Sequence, residues 1–148
     1  KEQPTLIHML QQICIEGIAD RINMNGVLYK EGKSVFETQF VNNYNQSYQR
    51  LERIDEFLAE LNKDFSKGAE IGSKISNTLP DAGHSQGYYM ATVIESEFGK
   101  PELIKTLENP FLFFKTYNRA AQETDGEYYI FSNETIAILD KLEKNFIK

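Results

Sequence analysis

Two acidic residues near the start of the sequence stand four positions apart, in the run 15–20 that reads Ile-Glu-Gly-Ile-Ala-Asp. Residues at this spacing share one face of a helix, so Glu16 and Asp20 are predicted to be neighbours on the first helix. That helix is otherwise largely apolar, and a buried carboxylate is costly unless it is paired, hydrogen-bonded or bound to a metal. The spacing alone fits either a solvated polar stripe or a metal-binding pair.

The glycine directly after Glu16 favours the metal-binding interpretation. Gly17 lies inside the predicted helix, where glycine costs roughly 0.5–1 kcal/mol relative to alanine. A glycine in such a position often indicates the close approach of another backbone. With Ala19 it makes a small, closely packable surface, so we expect a second segment to lie against the helix beside Glu16.

The sequence contains two histidines, His8 and His84. His8 precedes Glu16 by eight residues, which at the rise of a helix separates them by about 12 Å along its axis. Ligands of one zinc ion all lie within roughly 2 Å of it, so His8 cannot share a zinc with Glu16. His84 lies in a predicted polar loop, residues 81–86, and loops often carry binding residues. A surface histidine without a role fits the same pattern.

Two groups of residues resemble known zinc peptidases. The run 15–20 resembles the second zinc-binding helix of gluzincins, thermolysin-like peptidases in which a His-Glu-x-x-His helix precedes a helix that often reads Glu-Gly-x-Ala-Asp. A second group resembles the tail of a bacterial family described as zinc-dependent peptidases. This second group comprises the run 87–91 (Gly-Tyr-Tyr-Met-Ala), Ile94-Glu95, Gly99, Pro110-Phe111 and Tyr117-Asn118.

The resemblance implies a role for each candidate site residue. Glu16 would bind zinc as its third protein ligand, and Asp20 would hydrogen-bond the far nitrogen of a ligating histidine. His84 or Tyr88 would donate a hydrogen bond to the oxyanion of the tetrahedral intermediate. The implied cofactor is zinc, the implied substrate is a peptide, and the implied reaction is hydrolysis of a peptide bond.

The sequence departs from the gluzincin pattern because neither histidine belongs to a His-Glu-x-x-His motif. The motif lies upstream of Lys1 in the same protein, or the chain is a degenerate homologue that has lost it. We expect the first, with the chain as the C-terminal part of a larger peptidase. Alone it should be inactive and bind zinc poorly, since one carboxylate is an inadequate site.

A different class of function is also compatible with the sequence. In that alternative the chain is a non-catalytic helical protein-interaction module, and the stripe of Glu16 and Asp20 faces solvent or a basic partner. The surroundings of Glu16 distinguish the two hypotheses. An ordinary solvated face favours the module, whereas a concave site with missing walls favours the peptidase.

The elements that must position these residues are predicted to be helices. Apolar residues recur at three- and four-residue steps in most of the chain, so we expect an all-α fold, an irregular multi-helix single domain over residues 1–148. The resemblance identifies it with the C-terminal helical subdomain of a thermolysin-like metallopeptidase. Residues 25–45 are predicted to be mostly loop and 128–131 a brief extended piece. Helices are predicted at 5–23, 46–65, 67–79, 88–98, 101–107, 110–121 and after a capping Asn133.

Composition excludes several partners. Sixteen basic and 22 acidic residues give a formal charge of −6 without a local basic cluster, which opposes binding to a phosphate backbone. No segment has the roughly 20 apolar residues that span a bilayer. The single Cys14 lies among apolar residues and is predicted to be a small buried hydrophobe rather than a nucleophile.

Overall fold

The computed structural model describes residues 3–146 of the chain, and this part contains eight α-helices and no β-strand. The expectation of an all-α fold is therefore confirmed. Short 3₁₀ turns at Val27–Tyr29, Glu60–Asn62 and Phe65–Lys67 connect some of the helices. The helices are α1 Gln3–Asn23, α2 Val35–Tyr44, α3 Ser47–Ala59, α4 Gly68–Thr78, α5 His84–Phe98, α6 Lys100–Lys105, α7 Pro110–Gln122 and α8 Asn133–Phe146.

The first helix forms the centre of the packing. It contacts α4, α5 and α7, and its apolar side chains Leu6, Leu10 and Ile13 are fully buried. Full burial of each such side chain contributes about 1.5–3 kcal/mol relative to exposure, so the wide apolar face predicted from the sequence explains why α1 is enclosed. No helix in the described range 3–146 is both long and apolar enough to cross a membrane.

Helices α1 and α5 cross with their backbones in contact. A Cβ atom added to Gly17 would lie 2.3 Å from the carbonyl carbon of Gly87, and one added to Gly87 would lie 2.2 Å from the carbonyl oxygen of Ile13. Only glycine permits this approach, because a real Cβ atom never comes so close to a neighbouring backbone atom. The expected close contact beside Glu16 is therefore confirmed, and its partner is α5.

The prediction of a loop over residues 25–45 is wrong for its second half, where α2 is found. This helix begins with a capping box, in which the Ser34 hydroxyl accepts from the backbone N–H of Glu37 at 3.1 Å. The Glu37 carboxylate in turn accepts from the backbone N–H of Ser34 at 2.9 Å. The Ser-x-x-Glu pattern was present in the sequence, and Phe36, Phe40 and Tyr44 recur at four-residue steps, so the sequence held two signals of this helix that the loop prediction did not use.

Two further boundaries differ from the predictions. Helix α5 begins at His84 instead of residue 88, so His84 belongs to a first helical turn and not to a loop. The last helix is capped by Ser132, whose hydroxyl accepts from the N–H of Thr135 at 3.2 Å, and not by Asn133. The predicted extended piece at 128–131 has no strand partner within the described part of the chain.

The segment 128–132 is held instead by a buried carboxylate on α3. The Oδ2 atom of Asp55 accepts from the Tyr129 hydroxyl at 2.5 Å and from the backbone N–H of Ser132 at 2.9 Å. The Oδ1 atom accepts from the Ser132 hydroxyl at 2.8 Å. Because the Asp55 carbonyl also accepts from Thr135, one residue joins α3 to the start of α8.

Candidate functional site

Three of the side chains singled out in the sequence meet where α1 crosses the start of α5. The Nδ1 atom of His84 lies 2.6 Å from Oδ2 of Asp20, and its Nε2 atom lies 3.6 Å from Oε2 of Glu16. Since a carboxylate accepts hydrogen bonds, Nδ1 carries the hydrogen that is donated to Asp20. The other ring nitrogen faces Glu16 at a distance too long for a hydrogen bond.

The local backbone explains why His84 reaches the first helix. His84 lies one turn before Gly87, so the glycine contact between α1 and α5 brings the ring over the polar stripe of α1. The turn before α5 also lies against α1, because a Cβ atom on Gly83 would come within 2.7 Å of the Ile13 side chain. Asp81 fixes the first turn of α5 by accepting a hydrogen bond from the Ser85 hydroxyl.

The electrostatics of this cluster are dominated by carboxylates. Burial raises the pKa of Asp20, its hydrogen bond with His84 lowers the pKa, and the charges of Glu16 and Asp81 raise it again. Within the described residues, none of the three carboxylates forms an ion pair with a lysine or arginine. Among the described residues, the His84 ring is therefore the one potential counter-charge that contacts these carboxylates.

The side chains of this cluster can be compared with the set of ligands that a zinc ion requires. A zinc site needs three protein ligands at about 2 Å, and residues 3–146 contain no group of three His, Cys, Asp or Glu side chains suited to hold a metal. The Glu16 side chain is 36% exposed and receives no hydrogen bond from another described residue. These residues thus fit one carboxylate ligand of a zinc site and not a complete site.

The remaining candidates lie apart from this cluster. The Tyr88 ring is buried between α1 and α2, with the ring of Phe40 edge-on at 5.3 Å. Its hydroxyl lies 3.4 Å from both Nη1 of Arg21 and the carbonyl oxygen of Met24. His8 is exposed on α1. The structure thus brings Glu16, Asp20 and His84 together, whereas the contacts found for the Tyr88 hydroxyl are with Arg21 and Met24.

An open cleft of about 530 Å³ begins at Asp20 and His84 and continues along α2. The cleft was not predicted from the sequence because one of its walls is the helix predicted as loop. The capping box at Ser34 was the signal that could have identified that wall. The residues lining the cleft are Asp20, Phe36, Gln39, Phe40, Asn42, Asn43, Pro80, Asp81 and His84.

A comparison with protein families matches residues 2–126 to the family described as "Putative zinc dependent peptidase (DUF5700)". The match covers most of the chain, from α1 through α7, and the chain belongs to this family. Glu16, Asp20 and His84 all lie within the matched range. Comparison with curated proteins and with solved structures finds no match.

Proposed function

We propose that this chain is the C-terminal helical part of a gluzincin-type zinc peptidase, in which Glu16 is the carboxylate ligand of the metal. The observation that carries the proposal is the convergence of Glu16, Asp20 and His84, with 2.6 Å from His84 to Asp20 and 3.6 Å from His84 to Glu16. The two histidine ligands and the general base would come from a His-Glu-x-x-His segment elsewhere in the same protein. When bound, zinc supplies Lewis acidity toward the scissile carbonyl and the attacking water.

The surroundings of Glu16 support a ligand role better than an ordinary solvated face. Its carboxylate is accessible and has no hydrogen-bond donor from the described residues. A carboxylate that no described donor satisfies can exchange its water for a metal ion, whereas an acid that holds the fold is surrounded by protein donors.

Asp20 is suited to orient imidazole rings. Its Oδ2 atom accepts from His84, and its Oδ1 atom has no hydrogen-bond partner among the described residues. A carboxylate that fixes the ring orientation of a zinc-bound histidine accepts from the nitrogen that does not bind the metal. The free oxygen of Asp20 can serve a ligating histidine in this way while the other oxygen holds His84.

We assign the oxyanion role to His84 and not to Tyr88. The Nε2 atom of His84 faces Glu16, so it can reach a substrate carbonyl held beside that carboxylate. Because Nδ1–H is donated to Asp20, donation from Nε2 requires the doubly protonated ring. The hydroxyl of Tyr88 is buried and already engaged with Arg21 and the Met24 carbonyl.

The test is a peptidase assay on the complete gene product. Chelator dialysis should abolish hydrolysis of a fluorogenic peptide, and zinc should restore it. His84→Gln should lower kcat by about 10²–10³-fold with little change in KM, as for loss of an oxyanion donor. His8→Gln, which changes the other histidine, is the matched control and should leave kcat unchanged. Full activity of His84→Gln, or activity that survives chelation, would contradict the proposal.

A further inference from the structure

The cleft beside His84 has two walls of different chemistry. Its volume of about 530 Å³ lies within the usual range of ligand sites, about 300–1,000 Å³. One wall is α2, and the other is formed by the turn before α5 together with Asp20 and His84. A ligand in this cleft would therefore contact the proposed catalytic cluster at one end.

The α2 wall offers an aromatic ring and unpaired amides. Phe36, Gln39 and Asn43 recur at three- and four-residue steps, so they share one face of the helix. Phe36 is 66% exposed although it is a large apolar residue. The side-chain amides of Gln39, Asn42 and Asn43 make no hydrogen bonds to other described residues. Such amides provide both donors and acceptors, as an extended peptide backbone requires.

The opposite wall is acidic. Asp20 and Asp81 are both among the lining residues, and the lining formed by the described part of the chain includes no lysine or arginine. Each carboxylate has one hydrogen-bonding side chain as its neighbour, His84 for Asp20 and Ser85 for Asp81. Both therefore keep capacity to accept further hydrogen bonds. A cationic group placed between them would be attracted by both charges.

We infer that the cleft binds an extended peptide and selects a basic side chain, lysine or arginine, whose charged end lies between Asp20 and Asp81. A neighbouring apolar side chain of the peptide packs on Phe36, and the amides of Gln39 and Asn42 bond its backbone. The inference rests on the proposed function only in treating this peptide as the substrate. Binding itself requires neither zinc nor Glu16, which does not line the cleft.

The experiment is a titration of the ¹⁵N-labelled 148-residue chain, without zinc, with capped pentapeptides that differ at one position. The lysine peptide should bind about fivefold tighter than the norleucine peptide, the upper range for an exposed ion pair. The glutamate peptide should bind most weakly. Amide shifts should map to α2 and to residues 80–87.

Two variants with matched controls identify the contacts. Asp81→Asn keeps an acceptor for the Ser85 hydroxyl and should remove the preference for lysine while leaving norleucine affinity unchanged. Glu123→Gln, which removes one exposed negative charge outside the cleft lining, should keep the preference. Phe36→Ala should lower the affinity for all three peptides by the same factor. Tyr29→Ala, which changes another exposed aromatic residue outside the lining, should leave the three affinities unchanged.

Equal affinities of the wild-type chain for the three peptides, or shifts outside the cleft, would overturn the inference. So would a lysine preference that survives Asp81→Asn. These outcomes are separate from the proposed function, because no zinc is present. If the titration shows no selective binding but the complete protein hydrolyses peptides with zinc, the proposed peptidase function stands and the peptide-binding groove fails. If the chain binds the lysine peptide selectively but the complete protein shows no zinc-dependent hydrolysis, the peptide-binding groove stands and the proposed peptidase function fails.

Discussion

Two carboxylate sites in this molecule differ in how their oxygen atoms are satisfied. Asp55 is 5% exposed, and its oxygens accept from the Tyr129 hydroxyl and from both the N–H and the hydroxyl of Ser132. Glu16 is 36% exposed, and Nε2 of His84 lies 3.6 Å from its carboxylate. One acid is surrounded by donors, and the other faces an imidazole that does not hydrogen-bond it.

The difference separates an acid that holds the fold from an acid that is available to a ligand. A buried carboxylate is stable only when donors replace water, as they do at Asp55. A partly exposed carboxylate without protein donors keeps its water, which a metal or a substrate can displace. The comparison therefore predicts that mutation of Asp55 lowers stability strongly and that mutation of Glu16 changes it little.

The largest effect on stability is expected for Asp55→Ala. The change leaves the Tyr129 hydroxyl and two donors of Ser132 without their acceptor, and it releases the start of α8 from α3. The free energy of unfolding should fall by about 3 kcal/mol, as expected when charged hydrogen bonds are lost inside a protein. Urea denaturation measures this loss. Glu52→Ala, at an exposed position of the same helix, should change stability by less than about 0.5 kcal/mol.

A somewhat smaller loss is expected for Gly17→Ala at the helix crossing that positions the candidate site. The added methyl would lie 2.3 Å from the Gly87 carbonyl carbon, so α1 and α5 must separate. Overpacking of this kind typically costs about 1–3 kcal/mol. Gly126→Ala is the control, because its Cβ would meet open space. It should cost less, through its positive φ alone. Because alanine is favoured over glycine inside an unhindered helix by about 0.5–1 kcal/mol, a Gly17→Ala chain as stable as the wild type would show that the crossing is not under steric constraint.

The thiol of Cys14 reports on the burial of α1 without denaturant. It is fully buried on α1, and burial raises its pKa to about 12. The neutral thiol should therefore resist a thiol reagent at pH 8 in the native chain, because the thiolate is the reactive form. Labelling should be faster in Gly17→Ala than in the native chain, because a less stable chain opens more often and exposes the thiol. Rapid labelling of the native chain would contradict the enclosed position of α1.

The smallest effect on stability is expected for Glu16→Gln. The carboxylate receives no hydrogen bond from described residues, and its charge repels that of Asp20. The free energy of unfolding should therefore stay within about 0.5 kcal/mol of the wild type. A loss above about 1 kcal/mol would place Glu16 beside Asp55 among the acids that hold the fold.

The sequence predicted features that depend on short-range spacing. The all-α fold followed from apolar periodicity, and the shared face of Glu16 and Asp20 followed from their four-residue separation. The close helix contact followed from Gly17, because a glycine inside an apolar helix often allows another backbone to lie against it. Each of these inferences needs only the geometry of one helix.

Features that depend on distant partners were not predictable in the same way. The partners of Asp55 come 74 and 77 residues later in the chain, so Asp55 resembled any acid on an amphipathic helix. The contact of His84 with Asp20 spans 64 residues and requires the crossing of α1 and α5. Helix α2 was missed although its capping box and the four-residue spacing of Phe36, Phe40 and Tyr44 were visible in the sequence. The helix has only 10 residues, which is shorter than the window in which apolar periodicity is usually read.

Glu16 receives no hydrogen bond from the described residues. In the proposed function the reason is that its carboxylate binds zinc. The most direct test is the zinc content of the complete gene product, measured by mass spectrometry after dialysis against metal-free buffer. Wild type and the charge-matched control Glu123→Gln should retain equimolar zinc, whereas Glu16→Gln should lose most of its zinc because a ligand is lost. Equimolar zinc in Glu16→Gln, or none in the wild type, would contradict the zinc-ligand role of Glu16.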